Sequence, residues 1–186
     1  MYAVYVIIAV IVLLVIWAIA VYNGLVTLGN QVENAWRQID VQLKRRHDLI
    51  PNLVSAVRGA MQFEKDTLTS VIEARSRAET AKSVGEKGAA EGILTAALGR
   101  LFALVESYPD LKSSQNVLSL QEEISSTENR IGFARQLYND LVAKFNTKQT
   151  VFPAVLIASS LGFNKAEYFQ AEEGAKAVPK VDLGLK

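Results

Sequence analysis

The feature that most constrains this chain is an uncharged apolar run from Tyr2 to Tyr22. Asp, Glu, Lys and Arg are all absent before Glu33. At about 1.5 Å per residue, a helix over this run spans roughly 31 Å, which matches the hydrocarbon core of a bilayer. A backbone inside lipid must satisfy its own hydrogen bonds, so residues 1–23 are predicted to form a single transmembrane anchor.

The alternative for this run is a cleavable signal peptide, because Ala18-Ile19-Ala20 resembles a cleavage box. No basic residue precedes the run, and the run is longer than the apolar core of an ordinary signal peptide, which favours a retained anchor. The first basic residue after it is Arg37. This distribution predicts that the C-terminal domain faces the cytoplasm, with the anchor in the inner (cytoplasmic) membrane.

The apolar pattern after the anchor is helical, since apolar residues from Leu25 to Leu43 recur at steps of three and four. The membrane helix is therefore predicted to continue into the domain as a stalk. Pro51 is predicted to kink that helix or restart it, because proline lacks an N–H donor and crowds the preceding turn. The pattern then resumes as far as Lys82, and three glycines predict a flexible connection after it: Gly85, Gly88 and Gly92.

The second half of the chain contains the clearest helical pattern, from Ser114 to Asn146. Its 3.5-residue period holds over four heptads and predicts a long helix packed nearly parallel to its neighbours. A short helix ending near Leu161 is expected to be capped by Gly162. Together these patterns predict an all-α fold: one N-terminal transmembrane helix continuing into an antiparallel four-helix bundle over residues 24–172, with a disordered tail over residues 173–186.

The residues that usually carry chemistry are scarce in this sequence. It has no cysteine and one histidine, His47, which leaves too few ligands for a zinc site or for the paired Glu-x-x-His motifs of di-iron bundles. The 20 basic and 19 acidic residues nearly cancel, so nucleic acid is not an expected partner. Lys44-Arg45-Arg46 is interpreted as a solvated helix face, and Glu128 as surface charge. The prediction is a protein that is not an enzyme and has no cofactor.

Eight residues are candidates for structural or interaction roles. Leu25 and Leu28 lie where water begins and are exposed unless another helix covers them, which is either the stalk of a second copy that self-associates there or a helix of the same chain's bundle. Trp36 is expected to anchor core packing, and Asn52 to bond backbone groups freed at Pro51. Three arginines on or beside apolar faces are expected to find carboxylate partners or carbonyl partners at helix ends, and to fix helix register: Arg75, Arg130 and Arg135.

Several strings in this sequence resemble the LemA family of bacterial membrane proteins. The most specific is Arg45-Arg46-His47-Asp48-Leu49-Ile50-Pro51-Asn52-Leu53-Val54, and others include Tyr22-Asn23-Gly24-Leu25-Val26 and Thr127-Glu128-Asn129-Arg130-Ile131. The resemblance runs in order from residue 22 to about residue 169. It implies a single anchor and a helical bundle without an established enzymatic activity. It also implies a role in membrane organisation, because relatives are associated with envelope stress and magnetosome membranes.

Three functions follow as hypotheses, and the lipid bilayer is a partner in each. The first is a membrane-anchored scaffold that self-associates as a homo-oligomer through the bundle and stalk. The second is an adaptor for another membrane protein, such as an envelope-stress protease. The third and least favoured is an enzyme that uses an unrecognised site. A large symmetric particle in detergent favours the scaffold, and a monomer favours the adaptor.

Overall fold

The computed structural model of the chain describes residues 1–61 and 64–169. Within those residues the chain is helical and forms no strand, which confirms the predicted all-α class. The predicted tail over residues 173–186 lies outside the described residues. The helices are α1 (Tyr2–Arg58), α2 (Lys65–Thr80), α3 (Val84–Val105), α4 (Pro109–Lys112), α5 (Gln115–Thr150) and α6 (Val155–Ala158).

Helix α1 runs without a break from the apolar N-terminal segment into the domain, as the absence of a proline before residue 51 predicts. The expectation that the helix restarts at Pro51 is wrong, because α1 contains Pro51 and ends only at Arg58. The interruption comes instead at Gly59 and Ala60, which form a turn. Gly59 has a low helix propensity, which favours the end of the helix there. Helix α1 tolerates Pro51 because a side chain of α2 replaces the missing N–H donor.

The prediction of a flexible connection through Gly92 is also wrong, because α3 begins at Val84 and includes all three glycines. Ser83 is the N-cap residue: its side chain accepts a hydrogen bond from the Glu86 N–H, and the Glu86 carboxylate accepts one from the Ser83 N–H. This capping box satisfies two N–H groups at the helix start, which offsets the low helix propensity of the glycines.

Helix α5 matches the long predicted helix closely, and the 3.5-residue pattern marks its buried face. The short helix predicted before Gly162 is α6, and Gly162 adopts a positive φ of 82° in the turn that follows. Only glycine accepts this backbone conformation without steric cost.

The chain divides into two compact units. Unit 1 comprises Met1–Val41 and Ile131–Tyr168, and its core forms between α1 and α5. A Cβ on Gly29 would lie 3.6 Å from the Phe145 ring, and the Trp36 and Tyr138 rings have centroids 5.6 Å apart. A later residue of α1 therefore contacts an earlier residue of α5, so the two helices pack antiparallel in this unit.

Unit 2 comprises Gln42–Arg130 together with Phe169–Lys186. Segments of α1, α2, α3 and α5 surround one apolar core in this unit, with Leu111 of α4 at its edge. The four helical segments form the predicted bundle. Each helix contributes residues spaced by three or four positions, as an amphipathic helix requires: Ile50, Leu53 and Val57 from α1, Leu68 and Val71 from α2, Leu94, Leu98 and Leu101 from α3, and Val117, partly buried Leu120 and Ile124 from α5.

Two helices among the described residues are long and apolar enough to cross a membrane by length and composition. The apolar window of α1 is 0% buried within the chain, whereas that of α3 is 39% buried. The buried face of α3 belongs to the core of unit 2. Helix α1 is therefore the candidate membrane span, and α3 is a core helix.

Candidate functional site

The most unusual site among the described residues is a buried cluster of charged side chains in unit 2. Its centre is Arg46 of α1, whose exposed fraction is 1%. The guanidinium forms ion pairs with Glu91 of α3 and Glu128 of α5, and it donates a hydrogen bond to the Thr95 hydroxyl at 3.1 Å. The planar guanidinium presents donors in several directions, so one side chain can join three helices.

His47 extends this cluster on the next position of α1. Its Nε2 lies 2.7 Å from Oε1 of Glu91, and both side chains are buried. Burial raises the pKa of Glu91, but the hydrogen bond from His47 and the positive charge of Arg46 outweigh it and lower the pKa below the ordinary value of 4.5. Glu91 is thus a carboxylate at neutral pH. Because a carboxylate only accepts hydrogen bonds, His47 Nε2 carries the proton between them.

The same turn of α1 explains how the helix accommodates Pro51. In a regular helix the N–H of residue 51 would donate to the carbonyl oxygen of His47, and proline has no N–H. Arg75 of α2 supplies the missing donor, since its Nε donates to the His47 oxygen at 2.8 Å. The Arg75 Nη2 also pairs with Glu79 at 2.8 Å. The carbonyl partner of Arg75 therefore lies inside helix α1, whereas a carbonyl at a helix end was expected.

A groove of about 260 Å³ opens between α3 and α5 beside the cluster. Thr95 and Glu128 belong to both the groove and the cluster, and Glu128 is half-exposed. The rest of the lining is mainly apolar: Leu98, Gly99, Phe102, Ile124, Ser125 and Asn129. The described residues contain no group of three potential metal ligands. His47 and Glu91 are buried and bonded to each other, so this geometry suits holding helices together rather than acting on a substrate.

Two corrections concern residues that the sequence analysis assigns to the surface. Arg46 is buried, so the interpretation of Lys44-Arg45-Arg46 as a solvated face is wrong for its third member. Glu128 pairs with Arg46, so it is not simply surface charge. The spacing signal was present, because steps of three and four from Leu43 reach Arg46, His47 and Ile50.

The candidate residues of unit 1 differ from one another in burial. Leu25 is 0% exposed within the folded chain, so the same chain covers it, and Leu28 is half-buried. Trp36 is half-buried and packs on Tyr138, whose hydroxyl donates to the Glu167 carbonyl oxygen at 2.8 Å. Burial raises the pKa of Tyr138, and the Glu167 charge raises it further. Arg135 is half-buried.

The remaining candidates lie in unit 2 and are outside the cluster. Asn52 and Arg130 are exposed. The His47 carbonyl oxygen, which Pro51 leaves without a backbone donor, accepts a hydrogen bond from Arg75. Asn52 was expected to bond such a group. The structure thus brings Pro51 and Arg75 together, and it adds Arg46, His47, Glu91, Thr95 and Glu128 to them.

Comparisons with known proteins identify the relatives of this chain. The sequence model of the LemA family matches residues 35–183. Magnetosome protein MamQ 2 of Paramagnetospirillum magneticum is 27% identical over 80% of this chain and 64% of its own length. Magnetosome protein MamQ of Magnetospirillum gryphiswaldense is 26% identical over the same shares. Protein LemA of Metamycoplasma hominis is 29% identical over 87% of this chain and 72% of its own length. The match thus spans somewhat less than two thirds of the MamQ proteins.

Proposed function

The chain belongs to the LemA family, and on that premise we propose that it is a non-catalytic, membrane-anchored scaffold that self-associates and organises the bacterial envelope membrane. The observation that carries this proposal is the exposure of every residue from Met1 to Ile16, although almost all of them are apolar. The folded chain leaves this surface uncovered, and lipid is the environment that suits it. Relatives named as magnetosome proteins support a role at a bacterial membrane.

The proposed location is the inner membrane, with the domain on the cytoplasmic side. Arg37 follows the span, and basic residues close to the end of a span favour the cytoplasmic flank. The chain has no cysteine, so Val41→Cys introduces one unique thiol at an exposed position. A membrane-impermeant maleimide should label it in inverted vesicles and not in intact spheroplasts. Labelling in spheroplasts would reverse the orientation.

The proposed self-association surface is a pair of exposed apolar side chains on α5 in unit 1. Phe133 is 75% exposed and Leu137, one turn later, is 46% exposed. Residues four positions apart lie on the same helix face, so the two form one apolar patch. This patch replaces the surface predicted at Leu25. Covering both side chains in a dimer could contribute roughly 3–6 kcal/mol per chain before association costs.

Membrane anchoring strengthens such a weak contact. Copies that are confined to one bilayer meet at a high effective concentration, and identical patches at one height can pair by closed symmetry. A patch that is too small to hold a dimer together in dilute solution can therefore support assembly in the membrane.

The surface is tested by the double substitution Phe133→Ser with Leu137→Ser in the full chain. We expect the particle mass in mild detergent to fall to that of one copy, while the helical melt changes little because both residues are exposed. The matched control is Ile72→Ser with Ile93→Ser, two exposed residues of unit 2, which should leave the mass unchanged. Equal loss of mass in both variants, or none in either, would rule out this surface. A wild-type chain that is already a monomer would favour the adaptor function.

A further inference from the structure

The segment that follows α5 carries an unusual number of exposed apolar side chains. Phe152 is 79% exposed and Leu156 is 66% exposed. Three further apolar residues of the segment are also exposed: Val151, Val155 and Leu161. A single-chain domain surrounded by water rarely exposes so many large apolar side chains in eleven consecutive residues. This exposure indicates that the segment contacts another apolar surface. We refer to residues 151–161 as the apolar segment.

Contacts within unit 1 place the apolar segment at the end of the candidate span. Phe145 packs beside Gly29, the Lys148 amine lies against Gly24, and the Phe163 ring lies 5.7 Å from the Tyr22 ring. Because α1 and α5 are antiparallel here, the chain approaches the N-terminal side of α1 as it leaves α5. The apolar segment therefore lies near the height of Tyr22, where the uncharged run ends.

The burial pattern along α1 also indicates that unit 1 reaches the height at which the uncharged run ends. Residues 1–16 are all exposed, whereas Trp17, Ala18 and Val21 are partly buried. The folded chain therefore covers the last turns of the apolar run itself. Any part of unit 1 that lies beside Trp17 is at a depth where the bilayer interface is expected, because Trp and Tyr favour that zone.

The charges near the apolar segment suit a lipid surface. Between Asp140 and Glu167 the chain has three lysines and no acidic residue: Lys144, Lys148 and Lys165. Lysine ammonium groups at this height can pair with lipid phosphates, and basic residues near an anionic membrane are attracted to its surface. Exposed apolar residues beside lysines are the combination found in segments that lie in the interface.

We propose that residues 151–161 insert into the interface of the bilayer that α1 spans, so that each chain contacts lipid at two places. The inference rests on the proposed anchoring by α1. A second contact point restrains unit 1 from tilting relative to the bilayer, because a tilt that lifts the apolar segment takes Phe152 and Leu156 out of the lipid. Phe133 and Leu137 are then held at a fixed height, at which the patches of neighbouring copies can meet.

The test uses the absence of native cysteine and the full chain in vesicles of phosphatidylcholine and phosphatidylglycerol. A fluorophore is attached to one introduced thiol, and quenching by brominated phosphatidylcholine reports its contact with lipid. Phe152→Cys is the test position. Ile16→Cys in the span is the positive control, and Ile72→Cys on an exposed face of unit 2 is the negative control.

The expected quenching at Phe152 is within roughly twofold of that at Ile16 and several-fold above that at Ile72, as for a side chain at the acyl boundary. Adding Phe152→Ser to a Leu156→Cys label should reduce quenching of the Leu156 label, which separates the segment's own insertion from an effect of the fluorophore. If Ile16 is quenched and Phe152 resembles Ile72, the proposal is overturned while the anchor stands. If Ile16 is not quenched, the anchor is wrong, and the inference fails with it.

Discussion

Replacing Arg46 with methionine is expected to lower the free energy of unfolding of the helical domain by about 3–5 kcal/mol, because it leaves buried Glu91 without its ion-pair partner. Methionine fills a similar volume but cannot neutralise a carboxylate. Although burial raises the pKa of Glu91, the hydrogen bond from His47 and the charge of Arg46 hold it below its ordinary value, so both groups favour the charged form. The measurement is urea unfolding of the full chain in mild detergent, followed by circular dichroism.

The neighbouring residue supplies the control for that experiment. Arg45 is exposed and pairs with exposed Glu123 at 3.5 Å, and an exposed pair contributes about 0–1 kcal/mol. Arg45→Met should therefore cost little. Arg46→Met combined with Glu91→Gln should recover part of the loss, since the second substitution removes the unpaired charge. An Arg46→Met variant that is as stable as Arg45→Met would show that the cluster does not hold the helices together.

Placing two aspartates in the apolar run is expected to release the protein from the membrane. Val10→Asp with Leu14→Asp changes residues that are exposed in the folded chain, so the fold should be unaffected. On the scale for insertion at a helix centre, the two changes together disfavour insertion by about 6–8 kcal/mol. The readout is the fraction of protein that resists alkaline carbonate extraction, which should fall from nearly all to a small minority.

The matched control for the span changes exposed apolar residues outside it. Val41→Asp with Ile72→Asp adds the same charge at positions on α1 and α2 and should leave extraction unchanged. Interfacial contact by residues 151–161 is reversible, and it does not by itself withstand carbonate. Full resistance of the Val10→Asp and Leu14→Asp variant would mean that α1 is not the anchor.

Patterns of neighbouring residues in the sequence determine several helices of this fold. The helix over the apolar run and α5 were predictable, because each depends on a pattern sustained over many residues: 21 uncharged positions in one case and four heptads in the other. The start of α3 could also have been predicted, because Ser83 and Glu86 have the spacing of a capping box. The three glycines obscured that signal.

The behaviour of Pro51 and Arg46 depends on residues far away in the chain. Pro51 is accommodated because Arg75, 24 positions later, donates to the His47 carbonyl oxygen. Arg46 is buried because carboxylates 45 and 82 positions away converge on it. Periodicity places a residue on a buried face, but it does not identify its partner on another helix. The cluster therefore required the fold to be known.

The most direct test of the proposed scaffold is the number of copies per particle when the wild-type chain is extracted from its membrane in native-lipid nanodiscs. Mass photometry or native mass spectrometry can count copies of the 20.4 kDa chain. A self-associating scaffold predicts two or more copies in most particles, and a single copy when Phe133 and Leu137 are both replaced by serine. Wild-type particles that contain one copy of this chain, alone or with a different protein, would contradict the proposal.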